Sequence, residues 1–184
     1  MPTTEKSVDG MYEELTAYIR QISNKYLRQD VGILLYKDEA LSKIQGTFRS
    51  EDSTSRIFRG LLEHTLSVTR MCDYFATSYS ILNRDLLLSS AILHDIGKVK
   101  ELSDFPDNDY TDEGQLIGHI VIGVEMINDA IRSIPGFPEK LAHELKHCIV
   151  AHHGELEYGS PKKPALAEAV ALNMADSTVQ SFRH

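Results

Sequence analysis

Residues 91–98, AILHDIGK, place a histidine and an aspartate side by side directly after an apolar run. The run itself, DLLLSSAIL (85–93), is apolar enough to form a buried helix, and Asn83 is well placed to cap it. A buried aspartate needs a cation or strong hydrogen-bond donors, because an unpaired carboxylate is costly to desolvate. The pair His94-Asp95 is therefore a candidate metal site, although such a pair alone is weak evidence.

The hydrophobic pattern on both sides of this stretch is helical, with apolar residues at steps of three and four. Polar segments at 46–57 and 154–164 predict connections, and the acidic segment 101–115 predicts a loop with room for one short β-hairpin. The sequence therefore predicts an all-α fold, a helical bundle. Helices are expected at residues 11–28, 33–45, 84–96, 115–133, 138–151 and 165–181, with one more beginning near Gly60.

Composition narrows the class of protein. A chain of 184 residues with 42% hydrophobic residues fits one domain with a real core. The sequence contains no apolar run long enough to cross a bilayer and no signal-peptide pattern in residues 1–10, so we expect a cytoplasmic protein without a membrane partner. Its net charge of −8 argues against an extended basic nucleic-acid footprint, although bound metal ions would add local positive charge.

Several potential metal ligands are spaced about one helix plus one connection apart, each in or beside an apolar segment. A single histidine on such a face is more often a hydrogen-bonded core residue, but a full set at these spacings is hard to explain that way. The helices of a bundle can bring such residues to one central site. Imidazole with carboxylate favours zinc, iron, manganese, cobalt or nickel over calcium. The candidate ligands are His64, His94, Asp95, His119, His152, His153 and Asp176.

Five segments, in this order, resemble the HD-domain superfamily of metal-dependent phosphohydrolases. The closest likeness is to the HD catalytic domain of YhaM-type 3′→5′ exoribonucleases, without the OB-like domain that precedes it there. The resemblance implies one HD-type domain over 1–184, with helices of residues 1–46 packed on an HD core at 60–181. The matching segments are GLLEHTLSV (60–68), DLLLSSAILHDIGK (85–98), YTDEGQLIGHIVIG (110–123), AHHGELEYGSP (151–161) and AEAVALNMAD (167–176).

The resemblance also implies a role for each candidate ligand. Asp95 would bridge two divalent transition-metal ions (manganese, iron, nickel, cobalt or zinc), and a metal-activated hydroxide would attack phosphorus. The substrate would be a phosphodiester in a nucleotide or short RNA or DNA, or another phosphorylated small molecule. The first ion would be held by His64, His94, Asp95 and Asp176. The second would be held by Asp95, His119 and His152, with His153 as the alternate or additional ligand.

Residues near the ligands are candidates for substrate contact. Lys98 lies three residues after Asp95, on the same side of a helix, and would contact a phosphate oxygen and stabilise developing charge. Its ordinary alternative is a solvated lysine that complements a helix C-terminus. In the loop after the histidine pair, Glu155, Tyr158 and Ser160 are further candidates for substrate contact, against plain loop chemistry.

A second motif supports a different hypothesis. His143-Glu144-Leu145-Lys146-His147 is an H-E-x-x-H sequence, in which two histidines on one helical face bind zinc and the glutamate acts as general base. Glu168 would be the third ligand of such a zinc metallopeptidase. Against this, Lys146 puts a charge beside a site that should be closed. A di-iron oxygenase on the HD fold is a third alternative, since some proteins of that fold oxidise their substrates.

Overall fold

The structure is a computed structural model, and it describes residues 7–37, 53–101 and 111–183. Within these ranges every regular element is a helix, which confirms the prediction of an all-α fold. The hairpin considered near residues 101–115 falls mainly on residues 102–110, outside the described part of the chain. Along the same three ranges, no helix combines the length and the apolar character that crossing a bilayer requires.

Nine α-helices lie in the three described ranges of the chain. A π-helical segment, Ile33–Lys37, continues α2, and a 3-10 turn, Leu156–Tyr158, lies between the last two α-helices. The α-helices are α1 (Val8–Gln21), α2 (Lys25–Gly32), α3 (Ser53–Ser78), α4 (Arg84–Leu93), α5 (Lys98–Glu101), α6 (Asp112–Leu116), α7 (His119–Arg132), α8 (Glu139–Val150) and α9 (Ala167–Ser181).

Side-chain caps fix where four of these helices begin. Ser7 accepts a hydrogen bond from the backbone N–H of Gly10 at the start of α1, and Thr111 does the same for Gly114 in α6. The side-chain oxygen of Asn83 accepts from the backbone N–H of Leu86, which confirms the cap expected from the sequence. Such caps satisfy N–H groups that have no partner inside the helix.

The helix boundaries differ from the expectation in several places. The helix expected at 115–133 is two helices, α6 and α7, separated at residues 117 and 118. The helix expected at 33–45 is a π-helical segment to Lys37 and otherwise lies outside the described residues. The single helix expected at 11–28 is broken at residues 22–24, where Asn24 caps α2 by accepting from two backbone N–H groups. Asp85 fixes this break, since its carboxylate accepts from the backbone N–H groups of Ser23 and Asn24. Helix α3 begins at Ser53, inside the segment expected to be a connection, and α4 ends at Leu93 rather than at residue 96.

Helix α4 is the centre of the bundle. All eight residues from Leu86 to Leu93 are buried, so the helix is covered on every side. It packs against α1, α2, α3, α8 and α9. A helix that is apolar all round belongs inside the core, and its C-terminal end must then open into the interior rather than into solvent. This position delivers the residues that follow Leu93 to the middle of the molecule.

Candidate metal centre

His94 and Asp95 lie in the turn that follows α4, and they are only 1% and 2% exposed. The Nδ1–H of His94 donates to the backbone carbonyl of Ala91 at 2.6 Å. This hydrogen bond fixes the ring so that Nε2 faces the interior of the bundle. A histidine that ligates a metal usually donates its other ring N–H in this way.

The first group of ligand atoms joins three helices. His64 comes from α3, His94 follows α4 and Asp176 comes from α9, and their ligand atoms all lie within 4.8 Å of one another. The Nε2 atom of His64 is 2.8 Å from Oδ1 of Asp176 and 3.3 Å from Nε2 of His94. All three side chains are buried. We call these three residues the first cluster.

The second group contains three histidines. His119 is the first residue of α7, and His152 and His153 follow the end of α8, with ligand atoms again within 4.8 Å of one another. The Nδ1–H of His152 donates to the carbonyl of Ile149, and that of His153 donates to the carbonyl of Tyr158. Neighbouring side chains in a helix point about 100° apart. Residues 151–153 instead form a turn after Val150, so the rings of His152 and His153 can face the same site. We call these three histidines the second cluster.

Asp95 lies between the two clusters and turns one carboxylate oxygen toward each. Its Oδ2 is 3.3 Å from Nε2 of His94 and 3.6 Å from Nε2 of His64. Its Oδ1 is 3.5 Å from Nε2 of His152 and 3.6 Å from Nε2 of His119. A carboxylate in this position can bridge two cations, one in each cluster.

The unsatisfied atoms at this site fit metal binding. Oδ1 of Asp95 and the Nε2 atoms of His119 and His152 are buried and make no hydrogen bond with the described residues, and Oδ2 of Asp95 has an ion pair with Lys98 at 3.1 Å. Groups of this kind are costly to bury without a partner, and a cation supplies one. The donor set of imidazoles and carboxylates suits the borderline transition metals rather than calcium. The residues present therefore fit the expected divalent ions.

The electrostatics of the site keep its carboxylates ionised. Burial would raise the pKa of Asp95, but the neighbouring His94 and His152 hold that pKa well below its ordinary value. Burial would lower the pKa of His94, yet Asp95 and Asp176 outweigh it and raise that pKa to about 10. Burial lowers the pKa of His119 to about 4, so its imidazole is neutral at pH 7. The site thus keeps the carboxylates of Asp95 and Asp176 ionised where a cation would sit, and in the metal-free fold a proton on His94 occupies part of that place.

Lys98 stands at the mouth of the site. Its Nζ is 3.1 Å from Oδ2 of Asp95, and its side chain is 38% exposed, so it reaches both the buried centre and solvent. It lines two cavities. One, of about 400 Å³, also contacts His64 and Asp95, and the other, of about 680 Å³, also contacts His119 and Asp176. A substrate in either cavity would meet Lys98.

The three loop residues expected at the substrate have different surroundings. Tyr158 is 70% exposed and lines the larger cavity. Glu155 instead forms an ion pair with Lys163 at 2.9 Å. Ser160 is buried, and its hydroxyl contacts the carbonyls of Val150 and Lys162. The structure therefore brings Tyr158 to the site and does not bring Glu155 or Ser160 into contact with either cavity described above.

The H-E-x-x-H motif lies apart from these clusters. His143 is exposed, and the Nε2 of His147 accepts a hydrogen bond from the backbone N–H of Ala165 at 2.9 Å. The expected third ligand, Glu168, accepts from the backbone N–H of Asn83. Among the described residues, none of these three belongs to a group that could hold a metal ion. The geometry gives the metallopeptidase hypothesis no support.

Gly97, expected from the sequence only as the end of the helix over 84–96, is a positioning residue. A Cβ atom there would lie 1.9 Å from the carbonyl oxygen of His119 and 2.7 Å from the backbone nitrogen of Gly123. Only glycine allows the turn after Asp95 to approach α7 this closely. The sequence shows a glycine two residues after Asp95, but it does not show that the backbone of α7 lies against this glycine.

The fold and the site together belong to a known family. The family model described as "HD domain" matches residues 61–179, and the chain belongs to this family. The assignment confirms the resemblance seen in the sequence, and with it the class of phosphoester-bond hydrolases. No solved structure matches the chain.

Three relatives of the chain carry the description "3'-5' exoribonuclease YhaM". The relative from Listeria innocua is 37% identical over 180 residues, which is 96% of this chain and 55% of the relative. The relative from Halalkalibacterium halodurans is 36% identical over 93% of this chain, and that from Bacillus subtilis is 35% identical over 91% of it. This chain spans about half the length of these curated relatives.

Proposed function

We propose that the chain is a metal-dependent phosphodiesterase that cleaves a nucleotide or short oligonucleotide, with RNA as the first substrate to test. The observation that carries the proposal is the Asp95 carboxylate, which turns one oxygen to each ligand cluster and lies 3.1 Å from Lys98. We also propose that residues 1–184 form one HD-type domain, because α1 and α2 pack on α4.

The proposed ligands divide between two ions. The first cluster would hold one ion and the second cluster the other, with Asp95 bridging them. Both His152 and His153 are taken as ligands, because each donates its Nδ1–H to a backbone carbonyl. Such a hydrogen bond leaves the other ring nitrogen available to a metal. Manganese, iron, nickel, cobalt and zinc all suit this donor set.

Hydrolysis at this site needs charge neutralisation and orientation. Two divalent ions held there would lower the pKa of a water molecule and neutralise charge on a phosphate. The ammonium of Lys98 would donate to a phosphate oxygen and stabilise the charge that develops there. The water oxygen forms a new bond to phosphorus, the bond from phosphorus to the leaving ester oxygen breaks, and that oxygen takes up a proton.

RNA is proposed because the relatives are described as 3'-5' exoribonucleases and match over almost the whole of this chain. The net charge of −8 does not oppose this, since the proposed ions would make the active site locally positive.

The direct test is a substrate comparison with the manganese-loaded protein. We expect hydrolysis of the diester bis-p-nitrophenyl phosphate and of a short RNA, and little hydrolysis of the monoester p-nitrophenyl phosphate. Asp95→Asn should reduce the diester rate at least about a thousandfold, since the bridging charge is lost. The matched control is Asp129→Asn, an exposed aspartate on α7, which should keep the wild-type rate.

Two results would contradict the proposal. Cleavage of the monoester alone would make the chain a phosphatase. Turnover that requires dioxygen and iron, without phosphate release, would instead favour an oxygenase on the same fold.

A further inference from the structure

The larger cavity at the metal centre extends beyond the metal ligands. It is lined by Lys98 and three of the proposed ligands, and also by Tyr158 and three residues near the end of α9: Ser177, Gln180 and Ser181. Its volume of about 680 Å³ lies within the range of pockets that hold small organic ligands. Because the reacting phosphate is proposed to contact Lys98, the group attached to that phosphate would meet Tyr158 and the end of α9.

Gln180 presents an oriented amide to this cavity. It lies one turn after Asp176 on α9, and its Nε2–H donates to Oδ1 of Asp176 at 3.3 Å. A carboxylate oxygen accepts and does not donate, so this contact turns the amide oxygen of Gln180 away from Asp176. The exposed amide keeps that oxygen as an acceptor and a second N–H as a donor. An acceptor beside a donor matches two neighbouring hydroxyl groups, such as the 2′ and 3′ hydroxyls of a ribose.

Tyr158 presents an aromatic ring on a turn that is held from within. Its side chain is exposed, but its backbone carbonyl accepts the Nδ1–H of His153 at 3.0 Å, which ties the turn to a proposed metal ligand. The backbone N–H groups of Tyr158 and Ser160 both donate to the carbonyl of Glu155, at 3.1 and 3.2 Å. A ring carried by an ordered backbone binds a flat ligand with less loss of conformational entropy, and nucleobases stack on such rings.

We propose that this cavity binds the nucleoside at the 3′ end of an RNA strand, with the amide of Gln180 on the two hydroxyls of its ribose and the ring of Tyr158 against its base. The inference rests on the proposed phosphodiesterase function. The phosphate on the 5′ oxygen of that nucleoside would lie against Lys98. Both hydroxyls are free only at the 3′ end of RNA, so the site selects RNA over DNA at the last nucleotide.

This orientation specifies the bond that is cleaved. Water adds to the phosphorus that the terminal nucleoside carries on its 5′ oxygen. The bond from phosphorus to the 3′ oxygen of the preceding nucleotide breaks, and that oxygen takes up a proton. The product that leaves the cavity is a nucleoside 5′-phosphate.

The sugar contact is tested with the dinucleotides ApA and ApdA, which differ only in the 2′ hydroxyl of the terminal nucleoside. With the manganese-loaded protein we expect kcat/KM about fivefold higher on ApA, as for the loss of one hydrogen bond at an exposed site. ApA should yield adenosine and adenosine 5′-phosphate. Gln180→Leu should bring the ratio of the two rates close to one, with the wild-type metal content. Gln29→Leu, an exposed glutamine on α2 that does not line this cavity, should keep the wild-type ratio.

The base contact is tested with an analogue of ApA whose terminal ribose lacks its base. Wild-type kcat/KM should be about tenfold lower on this analogue than on ApA, because the stacking contact is lost. Tyr158→Ala should remove most of that difference, whereas Tyr158→Phe keeps the ring and should retain it. Tyr79→Ala, an exposed tyrosine between α3 and α4, should leave the difference unchanged.

The outcomes separate a substrate contact from a structural role. If Gln180→Leu lowered both dinucleotide rates by the same factor and reduced the metal content, Gln180 would only support Asp176, and the sugar contact would be overturned. Wild-type rates that ignore the 2′ hydroxyl and the base, or release of adenosine 3′-phosphate from ApA, would overturn the nucleoside site while phosphodiester hydrolysis stands. Failure on every phosphodiester, bis-p-nitrophenyl phosphate included, would overturn the proposed function as well. Melting temperatures of all variants check that the bundle is intact.

Discussion

The Nε2 atoms of His64 and His94 face each other at 3.3 Å inside the bundle, and the His64 atom is also 2.8 Å from the Asp176 carboxylate. His94 already donates its Nδ1–H to Ala91, so as a neutral ring it presents a lone pair at Nε2. Two ring nitrogens and a carboxylate oxygen that converge in this way form a ready ligand set for one cation. The second cluster offers three ring nitrogens on the other side of Asp95.

This separation predicts that the two ions can be removed one at a time. His64→Ala should reduce the metal content from two ions per chain to about one, because the second cluster keeps its three histidines. His119→Ala should do the same through the other cluster. Elemental analysis after purification without chelator measures the content, and His143→Ala, an exposed histidine outside both clusters, is the control. A wild type with no metal, before and after manganese is added, would rule out the centre itself.

Lys98 is predicted to act on the reaction and not on the metal. Lys98→Gln should lower kcat on bis-p-nitrophenyl phosphate about 10- to 100-fold, since one charge-assisted contact to the phosphate is lost. Its metal content should stay at the wild-type value. Lys100→Gln removes a charge two residues away, from an exposed side chain, and should have little effect on kcat. If Lys98→Gln and Lys100→Gln lowered kcat equally, Lys98 would act only as one positive charge near the site and not through a contact with the phosphate.

The sequence predicts the parts of this site that depend on local pattern. The apolar run before His94 predicts a buried helix, and the spacing of His64, His119 and Asp176 predicts that they come from separate helices. Tertiary contacts decided the rest. The break before α2 depends on Asp85, which lies about sixty residues further along the chain. The hydrophobic periodicity of the sequence does not reveal this long-range contact.

The position of Arg183 illustrates the same limit. Arg183 meets Gly60 across 123 positions of sequence, and only the packing of α9 on α3 brings them together. The pair His152 and His153 is similar, because its geometry depends on α8 ending at Val150. A helix that continued for three residues would have directed the two rings apart.

Metal stabilisation is predicted to increase with pH. The pKa of His94 in the metal-free fold is about 10, above its ordinary 6.5. The proton on His94 therefore stabilises the metal-free fold below pH 6.5, and this contribution is lost as pH rises from 6.5 to 10. A metal ion needs the neutral ring, so it competes with that proton. The rise in melting temperature caused by manganese should be larger at pH 8.5 than at pH 6.5. An equal rise at both values would contradict the assignment of His94 as a ligand.

Asp30 gives a separate pH effect away from the centre. It is fully buried in α2, both carboxylate oxygens lack a hydrogen bond with the described residues, and burial raises its pKa to about 8. The folded-state pKa exceeds the ordinary 3.8, so stability is lost as pH rises from 4 to 8. Asp30→Asn removes the ionisation and should stabilise the protein by a few kcal/mol at pH 9, at about 1.4 kcal/mol per pKa unit. Urea unfolding at pH 5 and pH 9 measures this, and a wild-type-like pH slope in the variant would refute it.

Gly97 is predicted to link the stability of the fold to the position of the metal ligands. Gly97→Ala should destabilise the protein by about 1–3 kcal/mol or more, because the added methyl group would overlap the backbone of His119 and Gly123 and push α7 away from Asp95. Since His119 begins α7, metal affinity should fall together with stability.

The control for Gly97 is a second glycine in a different setting. Gly32 ends α2, and a Cβ there would meet only the ring of Tyr36 at 3.8 Å, an ordinary contact. Gly32→Ala should therefore stabilise the protein by about 0.4–1 kcal/mol, by reducing the freedom of the unfolded chain. Urea unfolding and calorimetric manganese titration of both variants measure the two quantities. If Gly97→Ala matched Gly32→Ala in stability and in manganese affinity, the close approach of the turn to α7 would not position His119.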